Sequence, residues 1–337
     1  MPRRLAVRGF VAFAVLALAT VAGSSHADTV YVTSFTTGAL VRYDSANPAG
    51  TATVLSGSGS MIKPAAMALG PDGNLYIGQD GDSGAIAPQI TRYTVATGSL
   101  STVHTFAAFD VFPGSLAFKG NDLLVGRNPF FGNTGAIVKM TNITGGTVAV
   151  SDYTTGGDLA SSPGLALAAD GSLYVADQTY NFLNSVASGP VKRFDAAGIY
   201  VGETIASGST SGLYGPTGLA ISGSTLYTAS IMDGSILQTN LGTDITTTFA
   251  SSVGAFEVGT LALLADGRLL AGNPSGNGNI YRFGTNGALL DTYSSGLGQI
   301  GGIVTVAVPE PGTLALAVLG IAGFAWQARK RRRNGNG

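Results

Sequence analysis

A set of Asp and Asn side chains that follow short apolar segments leaves metal binding through oxygen ligands open. Calcium takes about six to eight oxygen ligands from carboxylates, amides and backbone carbonyls. One segment cannot supply that number, so such a site requires a fold that brings several segments together. The candidates are Asp80, Asp82, Asn128, Asp177, Asp233 and Asn273.

Side chains for covalent or acid–base catalysis are scarce. The chain contains no Cys, which excludes disulfides, zinc–thiolate sites and iron–sulfur clusters. His104 is the only histidine after residue 27, so a Ser-His-Asp triad would have to use it. Its segment, Thr102–Phe106, alternates as a strand, and we expect a solvated or structural histidine there. No Gly-x-Ser-x-Gly segment is present.

The elements that position these residues follow a repeated pattern. Each copy has two short apolar strands joined by a turn such as Asp72-Gly73, followed by a third strand that alternates apolar and polar residues. The copies begin near residues 64, 113, 163, 216, 258 and 300, about 42 to 53 residues apart. Four-stranded units of this period are typical of propeller blades.

The last copy has one strand, so the chain's own beginning must supply the others. We expect the strand at Thr29–Val32 to close the ring against Gly302–Val306. The predicted fold class is therefore all-β, a six-bladed β-propeller over residues 28–307. A pair of β-sandwiches is the alternative, but it leaves the recurring order of residues unexplained.

In a propeller, the connection after each second strand lies on the face where the first strands begin. The six Asp and Asn candidates should therefore lie on one face. We expect solvated loop residues there and no cofactor; calcium, which this set of oxygens could bind, is the alternative.

The charge distribution separates the two ends from the body. The whole chain has a formal net charge of −1 and only 11% charged residues. Residues 28–308 hold ten basic and eighteen acidic side chains, which gives them a net charge of −8. An acidic body repels phosphate backbones, so we expect no nucleic-acid partner.

The first 27 residues have the pattern of a secretory signal peptide. Three arginines precede an apolar run from Gly9 to Ala22, and Ser25-His26-Ala27 places small residues at the two positions that a signal peptidase reads. We expect cleavage before Asp28. A retained membrane anchor is the alternative, and Sec export is favoured over the twin-arginine route.

The other end combines a short motif, an apolar run and a basic cluster. Pro309, Glu310 and Pro311 precede an uncharged run from Thr313 to Trp326. Arg329, Lys330, Arg331, Arg332 and Arg333 follow it. An apolar helix with Lys and Arg behind it is typical of a stop-transfer membrane segment. A plain tail anchor would leave the Pro-Glu-Pro motif unexplained.

This order of parts, over residues 308–333, resembles the PEP-CTERM sorting domain of exported bacterial proteins. The resemblance implies recognition of the motif by an exosortase, with processing near it. It also implies a chain exported across the inner membrane, anchored in it before processing, and then found at the cell surface or outside the cell. Residues 334–337 are expected to be a disordered tail.

The body resembles NHL-type and gluconolactonase-like six-bladed propellers, most closely at Leu173–Asp177 and Val191–Asp195. Enzymes of the gluconolactonase type carry acidic or Asn ligands at the channel mouth. The comparable positions here hold Gly164, Leu165, Thr217 and Gly218, so that site is not matched.

Two functions remain open from the sequence. The favoured one is a non-catalytic surface or matrix protein that binds a partner such as extracellular polysaccharide. The alternative is a lactonase- or lyase-like enzyme that uses a divalent cation, which would need carboxylates facing the channel.

Overall fold

Antiparallel strands occupy most of the residues that the computed structural model describes, which are 28–82, 85–107, 112–128, 135–181, 186–208 and 210–308. Residues from Asp28 to Val306 form one compact unit. Its described residues form six four-stranded sheets and one hairpin, together with a four-residue helix, α1 (Pro48–Thr51). The predicted all-β, six-bladed propeller is confirmed.

Each four-stranded sheet is one blade, and its first strand lies nearest the axis of the ring. Blade 1 consists of β26 (Ile300–Val306), β1 (Thr29–Ser34), β2 (Leu40–Asp44) and β3 (Thr53–Ser56). Blade 2 consists of β4 (Pro64–Leu69), β5 (Leu75–Gln79), β6 (Gln89–Thr94) and β7 (Ser99–Thr105). Blade 3 consists of β8 (Phe112–Lys119), β9 (Asp122–Asn128), β10 (Ala136–Thr141) and β11 (Ala149–Asp152).

The second half of the ring repeats this order. Blade 4 consists of β12 (Gly164–Leu167), β13 (Leu173–Ala176), β16 (Val191–Phe194) and β17 (Tyr200–Ile205), with the hairpin β14 (Thr179–Asn181) and β15 (Val186–Ser188) inserted. Blade 5 consists of β18 (Pro216–Ser222), β19 (Thr225–Ser230), β20 (Ser235–Asn240) and β21 (Ile245–Ala250). Blade 6 consists of β22 (Thr260–Leu263), β23 (Leu269–Gly272), β24 (Asn279–Phe283) and β25 (Leu289–Ser294).

The ring is closed by the two ends of the body. β26 pairs antiparallel with β1, with Thr29 opposite Val306 and Val32 opposite Ile303. β26 also contacts β22 on one side and β4 on the other, which completes the circle of first strands. The expected closure of Thr29–Val32 against Gly302–Val306 is thus present in the structure.

A large residue followed by a small one in the first strands of blades 2 to 6 explains the recurring Leu-Ala pair of the sequence. Leu116 of blade 3 packs in one cluster with Ala68 of blade 2. Leu219 of blade 5 does the same with Ala166 of blade 4. Six such apolar clusters fill the six blade interfaces. Because blades converge toward the axis, only a small residue leaves room there for the large one from the next blade.

The Asp-Gly turns and the Tyr residues of the repeat act within single blades. The carboxylate of Asp72 accepts hydrogen bonds from the backbone N–H of Asn74 and from the hydroxyl of Tyr76. In blade 4, Asp170 caps its turn in the same way and pairs with Arg193, which lies over the ring of Tyr174. The turn residues of the motif therefore tie the first hairpin of a blade to its third strand.

The glycines near the start of the first strands allow the next blade to approach closely. A Cβ atom built on Gly164 would lie 1.8 Å from the carbonyl oxygen of Thr217 in blade 5. We expect Gly164→Ala to lower the free energy of unfolding by about 1–3 kcal/mol, because backbone must move to accept the methyl group. Urea denaturation measures this loss. Gly145→Ala is the matched control, since a Cβ there meets open space; equal effects of the two variants would contradict the packing described.

The two faces of the ring differ in their connections. We call the face at which the first strands begin the upper face, and the opposite one the lower face. Lower connections contain two to eight residues, whereas upper connections contain four to fourteen and include the β14–β15 hairpin.

Within the described residues, no helix is both long and apolar enough to cross a bilayer. The predicted signal peptide and membrane helix lie outside those residues.

Candidate functional site

A cavity of about 380 Å³ occupies the upper half of the central channel. One large apolar residue from each blade forms its lower wall, and these residues are Met67, Leu116, Leu165, Leu219, Leu261 and Ile303. Above them, the first strands contribute small residues, among them Gly114, Gly164, Gly218 and Gly301. The repeated step from a small to a large residue therefore makes the channel wide at its upper end and narrow at its middle.

Among the described residues, the rim of the cavity carries no ionisable side chain. It is formed by Phe35, Asn128, Ile231, Pro274 and Gln299. Phe35 donates its backbone N–H to the carbonyl oxygen of Gln299 at 2.8 Å, so these two rim residues are held together. Thr217 also lines the cavity, and its buried Oγ1 has no hydrogen-bond partner among the described residues. An apolar wall with amide and hydroxyl groups is suited to non-covalent binding of an uncharged ligand.

Three of the six predicted Asp and Asn residues contact a segment that leads into a first strand, two of them through its backbone and one through a side chain. Asp177 accepts hydrogen bonds from the backbone N–H groups of Ala160 and Ser161. Asn128 accepts one from the N–H of Ser162 at 2.8 Å, and it is the only one of the six that lines the cavity. Asn273 donates to the carboxylate of Glu257.

The other three lie farther out on the upper face. Asp233 accepts hydrogen bonds from the backbone and hydroxyl of Ser235 in the β19–β20 turn. Asp82 forms an exposed ion pair with Lys63 at 3.2 Å. Asp80 donates its backbone N–H to the carbonyl oxygen of Lys63, while its Oδ1 is buried and lacks a partner among the described residues.

Burial raises the pKa of Asp80 to about 7, although the nearby ammonium group of Lys63 opposes this shift. Between about pH 4 and pH 7 the folded state therefore holds a proton that the unfolded state releases. Stability should fall as pH rises through that window, by at most about 1.4 kcal/mol per pH unit, and level off above it. Urea denaturation should show that Asp80→Asn flattens this slope and is the more stable protein at pH 8. Asp82→Asn, which changes an exposed carboxylate, should leave the slope in place; loss of the slope in both variants would refute the assignment.

Polar residues stand at the ends of second strands in other blades too, and Ser230 of blade 5 was not among the predicted residues. Gln79 accepts from the backbone N–H of Ile62 at 2.6 Å, and Ser230 accepts from that of Tyr214 at 2.9 Å. Both occupy the place that Asp177 occupies in blade 4. The signal was available, since a polar residue follows the apolar second strand in these copies. These side chains anchor the entry loops of their own blades.

The carboxylate of Glu257 was also missed. It accepts hydrogen bonds from the hydroxyl of Tyr281 and from the amides of Asn273 and Asn277. These partners, all in blade 6, fix the loop that leads into β22. Glu257 precedes that strand in an irregular segment, so no periodicity in the sequence pointed to it.

His104 lies in the fourth strand of blade 2, as its alternating segment predicted. It lines a cleft between blades 2 and 3 together with Ser151 and Asp152, and its ring meets that of Phe106 edge to face at 4.7 Å. Burial lowers the pKa of His104. Ser151 and Asp152 are adjacent in β11, so their side chains point to opposite faces of the strand. Among the described residues, no hydrogen bond joins His104 to either of them, and the cleft does not have the geometry of a triad.

The structure shows where the four positions that were compared with gluconolactonase ligands lie. Gly164, Leu165, Thr217 and Gly218 all line the cavity. No carboxylate is among the described residues that line it. In the part of the chain that the structure describes, no three His, Cys, Asp or Glu side chains come together in a group that could hold a metal ion.

Comparison with known proteins agrees with both parts of this description. Residues 307–332 match the PEP-CTERM protein-sorting motif. No curated protein sequence matches the chain. The fold is similar to that in a crystal structure of a nidogen/laminin complex, at 14% identity and a TM-score of 0.65, covering 83% of this chain and 98% of the other.

Two bacterial structures have the same fold. A protein of unknown function from Bacteroides caccae is 12% identical, with a TM-score of 0.57 over 83% of this chain and 99% of the other. A putative 6-phosphogluconolactonase from Bacteroides uniformis is 20% identical, with a TM-score of 0.55 over 80% of this chain and 84% of the other. Similarities at this level of identity establish the fold alone. The chain thus carries a PEP-CTERM motif, which marks it for export and sorting by an exosortase, after a six-bladed propeller body.

Proposed function

We propose that this protein is a non-catalytic binding module of the cell surface or extracellular matrix, with the upper face of its propeller as the binding surface. The observation that carries the proposal is the asymmetry of the ring. The upper face alone combines the long connections with the mouth of an uncharged cavity. The Asp and Asn residues of that face, Asp80, Asp82, Asn128, Asp177, Asp233 and Asn273, surround it as loop and rim residues.

Extracellular polysaccharide is the partner we propose for this surface. Sugar rings present apolar faces and hydroxyl groups, which suit an aromatic or aliphatic contact beside amide side chains. Phe35, Ile231 and Pro274 supply the first kind of group, and Asn128 and Gln299 the second. The cavity volume of about 380 Å³ lies in the range of small-ligand pockets.

The route to the surface is proposed from the two ends. Residues 1–27 serve as a signal peptide that is removed before Asp28, and the compact unit from Asp28 to Val306 supports this boundary. Residues 308–333 hold the chain in the inner membrane by the apolar run until an exosortase acts at Pro309-Glu310-Pro311.

The lactonase- or lyase-like alternative needs oxygen ligands for a divalent cation in the channel. The residues that line the cavity in the described part of the chain supply amides, hydroxyls and backbone groups, but no carboxylate. Calcium therefore has no assigned place in the proposed mechanism, in which the body binds and does not turn over its partner.

Binding is tested with the purified body, residues 28–308, and matrix polysaccharide from the native host. We expect Phe35→Ala combined with Gln299→Ala to weaken binding by about tenfold to a hundredfold, the loss that corresponds to about 1.4–3 kcal/mol. Calorimetric titration measures this change. Asn121→Ala, in an exposed turn of the lower face, is the control and should bind like the parent. Equal affinity of all three proteins would overturn the assignment of the upper face.

A further inference from the structure

Asp28 is buried at the lower end of the seam where blade 1 meets blade 6. Only 1% of the surface of Asp28 is exposed. Its Oδ2 accepts the backbone N–H of Ala265 in blade 6 at 2.7 Å. Its backbone forms two hydrogen bonds with Ser45: the N–H donates to Ser45 Oγ, and the carbonyl oxygen accepts from the Ser45 N–H, both at 2.9 Å. The first residue of the body therefore links the two blades that close the ring.

The other carboxylate oxygen of Asp28 is left without a partner. Oδ1 is buried, and no described residue donates a hydrogen bond to it. Burial of a carboxylate oxygen without a hydrogen-bond donor costs free energy, because the oxygen loses its hydrogen bonds to water and forms no others. The peptide N–H of Asp28 cannot supply the donor, since its single hydrogen is directed at Ser45 Oγ.

The neighbouring guanidinium group does not supply the donor either. Arg282 donates from Nη1 to the carbonyl oxygen of Ser45 at 2.7 Å, and its Nε and Nη2 are paired with the carboxylate of Asp291. This arrangement fixes Ser45 from the side of blade 6. It leaves the Asp28 carboxylate with the backbone N–H of Ala265 as its one described donor.

We propose that the α-ammonium group created by cleavage before Asp28 is the missing donor of this seam, so that removal of residues 1–27 itself stabilises the closed ring. Hydrolysis of the Ala27–Asp28 peptide bond replaces one amide hydrogen with the three hydrogens of an ammonium group. One of them can keep the bond to Ser45 Oγ. The other two are available to Oδ1, which lies on the same residue, and the positive charge is placed beside the buried carboxylate. This inference rests on the export proposed above.

The position of the Ala27–Asp28 bond also determines whether cleavage or ring closure comes first. The residue after Asp28 begins β1, which is hydrogen-bonded to β2 on one side and to β26 on the other. A peptidase needs several residues on both sides of its target bond in an extended, accessible form. Asp28 and β1 do not offer this in the closed ring, so cleavage precedes closure, and closure then encloses the new N-terminus.

Three forms of the body ending at Val308 test the inference. One begins with free Asp28, one carries an acetyl group on the α-nitrogen of Asp28, and one carries a Gly-Ser-Gly-Ser extension before it. The free form should melt about 3–10 °C higher than the other two, because only it has the additional charged donor. Equal melting temperatures of the free and acetylated forms would overturn the proposal.

A second set of proteins tests whether the difference in melting temperature depends on Oδ1 of Asp28. The same three starts are prepared with Asp28→Ala, which removes the orphan oxygen together with the bond to Ala265. All three variants should melt lower than free Asp28 but at one common temperature; a difference that persists without the carboxylate would assign the effect to another group and refute the proposal. These measurements use recombinant protein and are independent of export, which the N-terminal mass of the chain from the host decides separately.

Discussion

A body that ends at Leu297, and so lacks β26, is expected not to fold cooperatively. β26 contributes Ile300 and Ile303 to the cluster between blades 6 and 1, and Val304 to the cluster between blades 1 and 2. Burial of each such side chain is worth about 1.5–3 kcal/mol, and the backbone hydrogen bonds to β1 are lost as well. The sum is comparable to the whole stability of a typical domain, about 5–15 kcal/mol.

Circular dichroism and thermal unfolding measure this effect. The control ends at Val308, so it keeps β26 and removes the same sorting segment. We expect a sharp transition for the control and a broad one, or none, for the shorter body. Addition of a synthetic peptide of residues 298–308 should restore the sharp transition. A cooperative, unchanged transition of the shorter body without the peptide would show that β26 does not close the ring.

Loss of the buried ammonium group in blade 4 is expected to be the most damaging single charge removal. Lys192 Nζ lies 2.6 Å from Asp177 Oδ2, and the two side chains are 12% and 6% exposed. Lys192 also donates to the carbonyl oxygens of Gly157 and Asp158. Lys192→Met leaves the Asp177 carboxylate buried without its counter-charge, which should cost about 3–5 kcal/mol.

Lys63→Met is the matched control for this substitution. Lys63 pairs with Asp82 at a similar distance, 3.2 Å, but the two side chains are 42% and 58% exposed. Its loss should cost about 1 kcal/mol or less, because exposed pairs are weak. Urea denaturation of both variants measures the difference. The double variant Asp177→Asn with Lys192→Met should be more stable than Lys192→Met alone, since the unpaired charge is gone; equal costs for the two lysines would contradict the description of a buried pair.

The ring was predictable because each blade repeats a local pattern. Turn residues such as Asp72-Gly73 and the alternation in segments such as Leu40–Tyr43 are set by short-range geometry, which a sequence displays directly. The closure of β1 against β26 followed from counting strands, since a last copy with one strand needs partners from the other end. The six-bladed architecture therefore required no knowledge of distant contacts.

The role of the upper-face side chains was not predictable in the same way. Asp177 was predicted to be a loop residue of the ligand face, solvated or able to bind a cation, but its partners are the backbone of residues 160 and 161 and the ammonium group of Lys192. Those partners come from an irregular entry loop and from the third strand, and no spacing in the sequence relates them to Asp177. The rim residues Phe35 and Gln299 lie at opposite ends of the chain and become neighbours only through ring closure.

The most direct test of the export, the sorting and the seam together is the intact mass of the mature protein isolated from its native host. We expect a chain that begins at Asp28 and ends near the matched motif, between Val308 and Gly312. A chain that retains residues 1–27 would contradict the proposed export and seam, and a chain that still ends in the basic cluster from Arg329 to Arg333 would contradict the proposed sorting.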